Sequence, residues 1–260
     1  MKILISNDDG VDSPGIEALA NAVADLGEVV VVAPHRERST SGHSLTLHKP
    51  LRIFKVAENR WATTGTPADC IYLGVREVLK GKPDLILCGI NAGANLGTDV
   101  HYSGTVAAAR EGALMNIPSY AFSLVDVPKL DREFPRLPQS AFEIPAQCAR
   151  EVISMTKGIP FPSHTLLNVN IPKGETPRGI RIARQGFRYY QNEVVKRSDP
   201  RGRDYFWIGG PYMGFEKTDS SDCDAVEAGF ASVTPISIDC THQAFYAVLA
   251  QHHPVFDSNA

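Results

Sequence analysis

The sequence predicts a doubly wound α/β fold built on a mostly parallel sheet, and three observations carry that prediction. Apolar runs of strand length recur at KILIS, EVVVVA and PDLILCGIN, β-branched or aliphatic on both faces, as strands covered by helices on either side require. A capped, amphipathic helix separates the first two runs, so the chain begins β-α-β. The third run empties into a glycine-rich loop that opens another helix, and the order of strand, loop and helix repeats.

Lys2 to Ser6 is the first strand. Ser13 can cap the helix after it, Pro14 suits a first helical position whose N–H needs no partner, and Ile16, Leu19, Ala20 and Val23 share one face before Gly27 ends it. Glu28 to Ala33 is the second strand. At TPAD, Thr66 caps, Pro67 takes the first position and Asp69 closes a capping box, which predicts a helix running to Gly81. PDLILCGIN is the next buried strand, the loop Gly89 to Gly97 follows, and SGTVAAAREGAL turns helical with alanine-rich packing from Val106. Residues 126–145 are rich in proline and charge and read as a surface connection. A helix through Gln147 to Met155, strands at TLLNVNIP and GIRIARQ, a hairpin or arm at RYYQNEVVKRSDPRGRDYFWIGG, a last strand at FASVTPISID and a last helix at THQAFYAVLAQH complete the chain. The predicted organisation is a Rossmann-like core over residues 1–125 that carries the site, with residues 126–260 completing the core and supplying extended arms.

Composition narrows the function. The 260 residues are 43% hydrophobic and 21% charged, which fits a soluble globular protein. A net charge of -3 gives no electrostatic case for a nucleic-acid polymer or an anionic membrane. No apolar run approaches the roughly 20 residues of a membrane span, and the N-terminus lacks a signal-peptide core, so a cytoplasmic protein is expected. Five scattered cysteines without metal spacing read as reduced thiols.

Three loops carry chemistry. In NDDG, Asp8 and Asp9 stand side by side where a buried strand surfaces, and Gly10 allows a tight turn that exposes both carboxylates. Such a pair repels itself unless a cation or proton answers it, although one Asp in a turn can also cap backbone amides. APHRERSTSGHSLT packs Ser39, Ser41, His43, Ser44 and Thr46 together, hydroxyls suited to a metal or a phosphate and equally at home in an ordinary loop. His43 lacks a second ligand at metal spacing and is not ranked as one. In CGINAGANLGTDVHYSGTVAAAREG, Asn91 and Asn95 leave a strand end, and Ser103, Gly104 and Thr105 open a helix whose free N–H groups favour an anion. Together two carboxylates, a hydroxyl and an amide make an oxygen-only shell that favours one Mg²⁺ or Mn²⁺, and a hard cation beside an anion pocket suggests phosphate-ester chemistry.

MKILISNDDGVDSPGI, APHRERSTSGHSLT, GTPADCIYLG and GINAGANLGTDVHYSGTVAAAREG, in this order and spacing, resemble the SurE (survival protein E) family of 5'-nucleotidases, and VTPISIDCTH resembles the family's C-terminal segment. The resemblance implies a metal-dependent phosphohydrolase of nucleoside 5'-monophosphates, sometimes active on short polyphosphate. It implies Asp8, Asp9, Ser39 and Asn91 as metal ligands, with Asp8 and Asp9 catalytic, and Asn95, Ser103, Gly104 and Thr105 as phosphate-contacting positions. It implies a homodimer or homotetramer assembled through the C-terminal arm. Some relatives carry Asn where this chain has His43, which leaves the role of His43 open. Two routes stay open: attack by water with Asp8 or Asp9 taking its proton, and attack by one carboxylate to give an aspartyl-phosphate. A receiver-type signalling domain also places an acidic pair after its first strand, but no acceptor Asp stands at a strand end in LHKPLRIFKVAENRW. A nucleotide-binding or sensing protein without turnover would use the same pocket.

Overall fold

In the computed structural model of the chain, residues 1–38, 41–125 and 137–252 are described. The first half contains β1 (Lys2–Ser6), α1 (Pro14–Ala22), β2 (Glu28–Pro34), β3 (Ile53–Ala57), β4 (Arg60–Thr63), α2 (Pro67–Leu73), β5 (Leu85–Asn91), α3 (Gly104–Leu114) and β6 (Ser119–Val125). The second half contains α4 (Glu143–Thr156), β7 (Thr165–Pro172), β8 (Ile180–Ile182), β9 (Arg188–Tyr190), β10 (Glu193–Ser198), β11 (Asp204–Gly209), β12 (Tyr212–Phe215), α5 (Asp222–Glu227), β13 (Ala231–Ser237) and α6 (Gln243–His252). The helix starts have the chemistry the sequence predicts. Ser13 accepts from the Ile16 N–H, and Thr66 and Asp69 satisfy each other's backbone donors in a capping box.

Nine strands form one sheet in the order β3-β4-β2-β1-β5-β6-β7-β13-β8. Every neighbouring pair from β4 to β7 is parallel, while β3 on β4 and β13 on β7 run antiparallel. The doubly wound, mostly parallel sheet is therefore as predicted. One face buries Ile16 and Leu19 of α1 and Val152 of α4 against Ile3, Ile5, Leu87 and Phe122. The other buries Ile71, Val106 and Ala109 of α2 and α3 against Leu4, Val32 and Ile86. From β1 the chain first extends the sheet on one side with β2, then lays β5 on the other, with Ser6 opposite Cys88. The carboxyl ends of β1 and β5 thus flank a topological switch point, where ligands of such sheets collect.

Several boundaries differ from expectation. α2 ends at Leu73 and continues as a π-helical turn, Gly74–Val78, short of Gly81. The expected surface connection over 126–145 is overturned in its last part: a 3-10 turn at Gln139–Phe142 leads into α4, which begins four residues before Gln147. Phe142 drives this by burying its ring in the core, and Pro145 is tolerated in the first turn of α4 because its missing N–H would have no helical acceptor. Residues 126–136 lie outside the described residues. SYAFSLV, to which no strand was assigned, forms β6 at the centre of the sheet, joining β5 to the strands of the second half.

RYYQNEVVKRSDPRGRDYFWIGG forms β9, β10 and β11; β10 and β11 pair as an antiparallel hairpin, and β9 pairs with β12 at its base. The hairpin leaves Trp207 64% and Ile208 89% exposed, and α6 leaves Phe245 and Tyr246 exposed as well. All five cysteines are free thiols; Cys70, Cys88, Cys148 and Cys223 are buried and Cys240 is exposed. Among the described residues no helix is long and apolar enough to cross a membrane.

Candidate active site

The acidic pair leaves β1 through a turn built by Asn7. That fully buried amide donates from Nδ2 to the Gly10 carbonyl at 2.9 Å and to Ser13 Oγ at 2.6 Å, and accepts the Gly10 N–H at Oδ1. Gly10 closes the turn at φ +104°, a conformation that costs a residue with a Cβ. Asp8 is buried and accepts a hydrogen bond at Oδ1 from the Thr105 hydroxyl. Asp9, half-buried, accepts at Oδ2 from the Ala92 N–H at 3.3 Å, which spans the crevice between β1 and β5.

Burial pushes the Asp8 carboxyl above its ordinary range, and hydrogen bonds from Thr105 draw it part of the way back. Asp9 is pushed up to about 7, by burial first and by the neighbouring Asp8 charge second. Glu37 adds negative charge to both. Two carboxylates so placed are stable together only when a proton or cation neutralises them.

The N-terminus of α3 meets this pair directly. A Cβ on Gly104 would stand 2.8 Å from Asp8 Cβ and 2.9 Å from its Oδ2, so only glycine lets the first turn of the helix reach the carboxylate. Ser103 caps the helix by accepting the Val106 N–H at 3.1 Å. Its hydroxyl thus serves the helix, and that of Thr105 serves Asp8.

Asn91 ends β5, and its Nδ2 donates to the Gly93 carbonyl at 2.8 Å, which leaves the amide oxygen as the atom to bind a cation. Asn95 is buried and firmly tied: Nδ2 donates to Ser123 Oγ at 2.7 Å, its N–H donates to Asn170 Oδ1, and its carbonyl accepts from Asn168 and Asn170. In this arrangement its amide nitrogen holds β6 rather than an open pocket. Ser39 lies outside the described residues. The hydroxyl-rich segment beyond it is fixed at three points: Thr46 bonds Asp69 through N–H and hydroxyl, the Ser44 carbonyl accepts from the Thr66 hydroxyl at 2.7 Å, and His43 Nε2 lies 2.9 Å from Oε2 of Glu111, a buried residue of α3. His43 therefore faces α3 as a tie for the loop.

Among the described residues no three or more His, Cys, Asp and Glu stand together as a metal site. The candidate shell is two carboxylates completed by neutral oxygens, a donor set that suits Mg²⁺ or Mn²⁺ and not zinc. The mutual repulsion of the neighbouring Asp8 and Asp9 carboxylates is the feature such a cation fits.

Sequence reasoning missed the residues that hold this site. Asn7 had a signal, since Asn ahead of Asp-Asp-Gly is Asx-turn chemistry. Asn168 and Asn170 had one too: amides at alternate positions of the apolar run TLLNVNIP demand buried partners. Glu111 had none beyond its place on a helix face beside Ala107 and Ala108.

Fold and site together define a doubly wound α/β protein with an acidic pair and a helix N-terminus side by side at its switch point. Comparison with known proteins agrees. A family model described as "Survival protein SurE" matches residues 3–192. "5'-nucleotidase SurE" of Syntrophotalea carbinolica is 45% identical over 251 residues, covering 96% of this chain and 97% of that protein. The protein of the same name from Myxococcus xanthus is 49% identical over 242 residues, covering 92% and 88%. The crystal structure of the SurE protein from Aquifex aeolicus superposes with a TM-score of 0.82 at 40% identity, covering 97% of this chain and 99% of that one. The chain belongs to the SurE family.

Proposed function

We propose that this chain is a divalent-metal-dependent 5'-nucleotidase that hydrolyses nucleoside 5'-monophosphates. Membership of a family whose matched relatives carry that name supports the activity. The observation that carries it here is the contact of Gly104 with Asp8, which puts an acidic pair and a helix N-terminus within reach of one phosphate.

In this reading Asp8, Asp9, the Asn91 amide oxygen and Ser39 hold one Mg²⁺ or Mn²⁺. When bound, that ion supplies positive charge for phosphoryl oxygens and lowers the pKa of water. Thr105 keeps Asp8 in one rotamer through its hydroxyl, and the Ala92 N–H orients Asp9 through Oδ2, so that one of the two carboxylates takes the proton of an attacking water. The free N–H groups at the start of α3, with Ser103, Gly104 and Thr105, hold the phosphate, and Asn95 fixes the loop they follow.

The exposed aromatic and aliphatic surface of β10, β11 and α6 supports assembly of like chains into a homodimer or homotetramer. Free thiols support a reducing compartment, the cytoplasm.

Phosphate release from a panel of nucleoside monophosphates, with Mg²⁺, Mn²⁺ or chelator, tests the activity. Release that requires metal and disappears in Asp9→Asn is expected. Metal-dependent nucleotide binding without turnover would identify a sensing protein instead.

A further inference from the structure

The structure assigns to Asp222 a positioning role in catalysis: it anchors the loop that carries Asn91 and Asn95 and leads to the phosphate-holding helix. The role rests on the proposed nucleotidase reading, and Asp222 lies beyond the residues 3–192 that the family model matches.

Asp222 opens α5, more than a hundred residues after the loop, yet its carboxylate is fully buried. Oδ2 accepts the Gly97 N–H at 2.9 Å; Oδ1 accepts those of Gly186 and Cys223, each at 2.9 Å. Three backbone donors fill the carboxylate and join the site loop, the segment after β8 and α5 in one junction. Gln185 completes the grip on the same residue by donating to the Gly97 carbonyl at 3.1 Å. Gly97 stands two residues after Asn95, whose backbone β7 already clamps through Asn168 and Asn170. It also starts the 3-10 turn Gly97–His101 that delivers the chain to Ser103.

Between Asn91 and α3, then, the loop is held from the second half of the chain by buried polar groups at both ends of a short span. The chain between Asn95 and the 3-10 turn that leads to α3 cannot shift without breaking the charge-assisted Asp222 bond at Gly97 or the amide clamp at Asn95. Groups bonded directly to a metal's ligands typically matter about 10- to 100-fold in metal affinity or activity, and an anchor bonded to the backbone near Asn95 is expected toward the lower end of that range.

The experiment compares wild type, Asp222→Asn and Gln185→Met. Asn replaces one acceptor oxygen with an NH₂ facing an N–H donor; Met removes only the second tie to Gly97. Three quantities are read: kcat and KM for a nucleoside 5'-monophosphate, Mn²⁺ affinity by calorimetry, and hydrogen exchange of the metal-free protein. Exchange is expected to rise at loop amides 92–99 while β1 and β5 stay protected. Mn²⁺ affinity and kcat are expected to fall about 10-fold or more in Asp222→Asn and less in Gln185→Met. Loosened loop amides with wild-type kcat and Mn²⁺ affinity would overturn the assignment. So would faster exchange across the whole sheet with unchanged Mn²⁺ affinity per folded molecule, the mark of a merely structural residue. If Asp222→Asn does not fold, Gln185→Met alone decides by the same readings. Absence of turnover in wild type refutes the nucleotidase reading, and the exchange and Mn²⁺ data still judge the anchor.

Discussion

The Thr105 hydroxyl donates to Oδ1 of Asp8 across 97 residues of chain, tying the start of α3 to the end of β1 inside a fully buried contact. The acidic pair and the helix N-terminus are therefore one mechanical unit.

Replacing Thr105 by Val keeps the shape and removes that donor. A hydrogen bond to a charged group contributes about 1.5–3 kcal/mol. Mn²⁺ affinity measured by calorimetry should fall about tenfold or more, with KM for substrate rising as a secondary effect. Unchanged Mn²⁺ affinity would mean Asp8 does not need its tie.

Asp9→Asn removes one of two repelling buried acids. Turnover should vanish, while the metal-free protein melts at a higher temperature than wild type and gains little when Mn²⁺ is added. Thermal melts with and without chelator separate these effects.

The pH dependence has a definite sign. Asp9 titrates near 7 when folded against an ordinary 3.8, so its contribution to the stability of the metal-free protein is whole below about pH 4 and is lost as pH rises through about 7. Cation binding requires the ionised form, so Mn²⁺ affinity should climb with pH up to about 7 and then level. A chelated protein whose melting temperature rises over pH 5–8, once other groups are matched by comparison with Asp9→Asn, would contradict this.

Gly104→Ala places a methyl 2.8 Å from Asp8 Cβ. Overpacking of this kind costs about 1–3 kcal/mol, seen as a lower urea midpoint, and the displaced Asp8 should abolish metal-dependent phosphate release even in the folded fraction.

His43→Ala leaves Glu111 buried without its partner. The expected loss is about 1–3 kcal/mol of stability, with proteolysis of the hydroxyl-rich loop accelerated; Asn at this position should recover part of both.

The strands β1, β2 and β5 and the helix caps were legible because they depend on neighbours in sequence: KILIS and EVVVVA on their apolar faces, Thr66 and Asp69 on a three-residue spacing. Asp8 and Asp9 were legible because paired acids at a strand end are costly without an answer. What escaped depends on distance along the chain. Asp222 reaches Gly97 across 125 residues, and Asn170 reaches Asn95 across 75, pairings that no local spacing encodes. Thr105 shows the same limit within the site, since its type suggested an anion contact and its partner is a carboxylate.

The distribution of sulfur also makes the chain its own reporter. With four thiols sealed in the interior and Cys240 alone at the surface, just ahead of α6, a maleimide dye or spin label will attach at one place without any mutation. Dipolar spectroscopy on such a label reads a distance only where copies associate, which turns an accident of composition into a ruler for the proposed assembly.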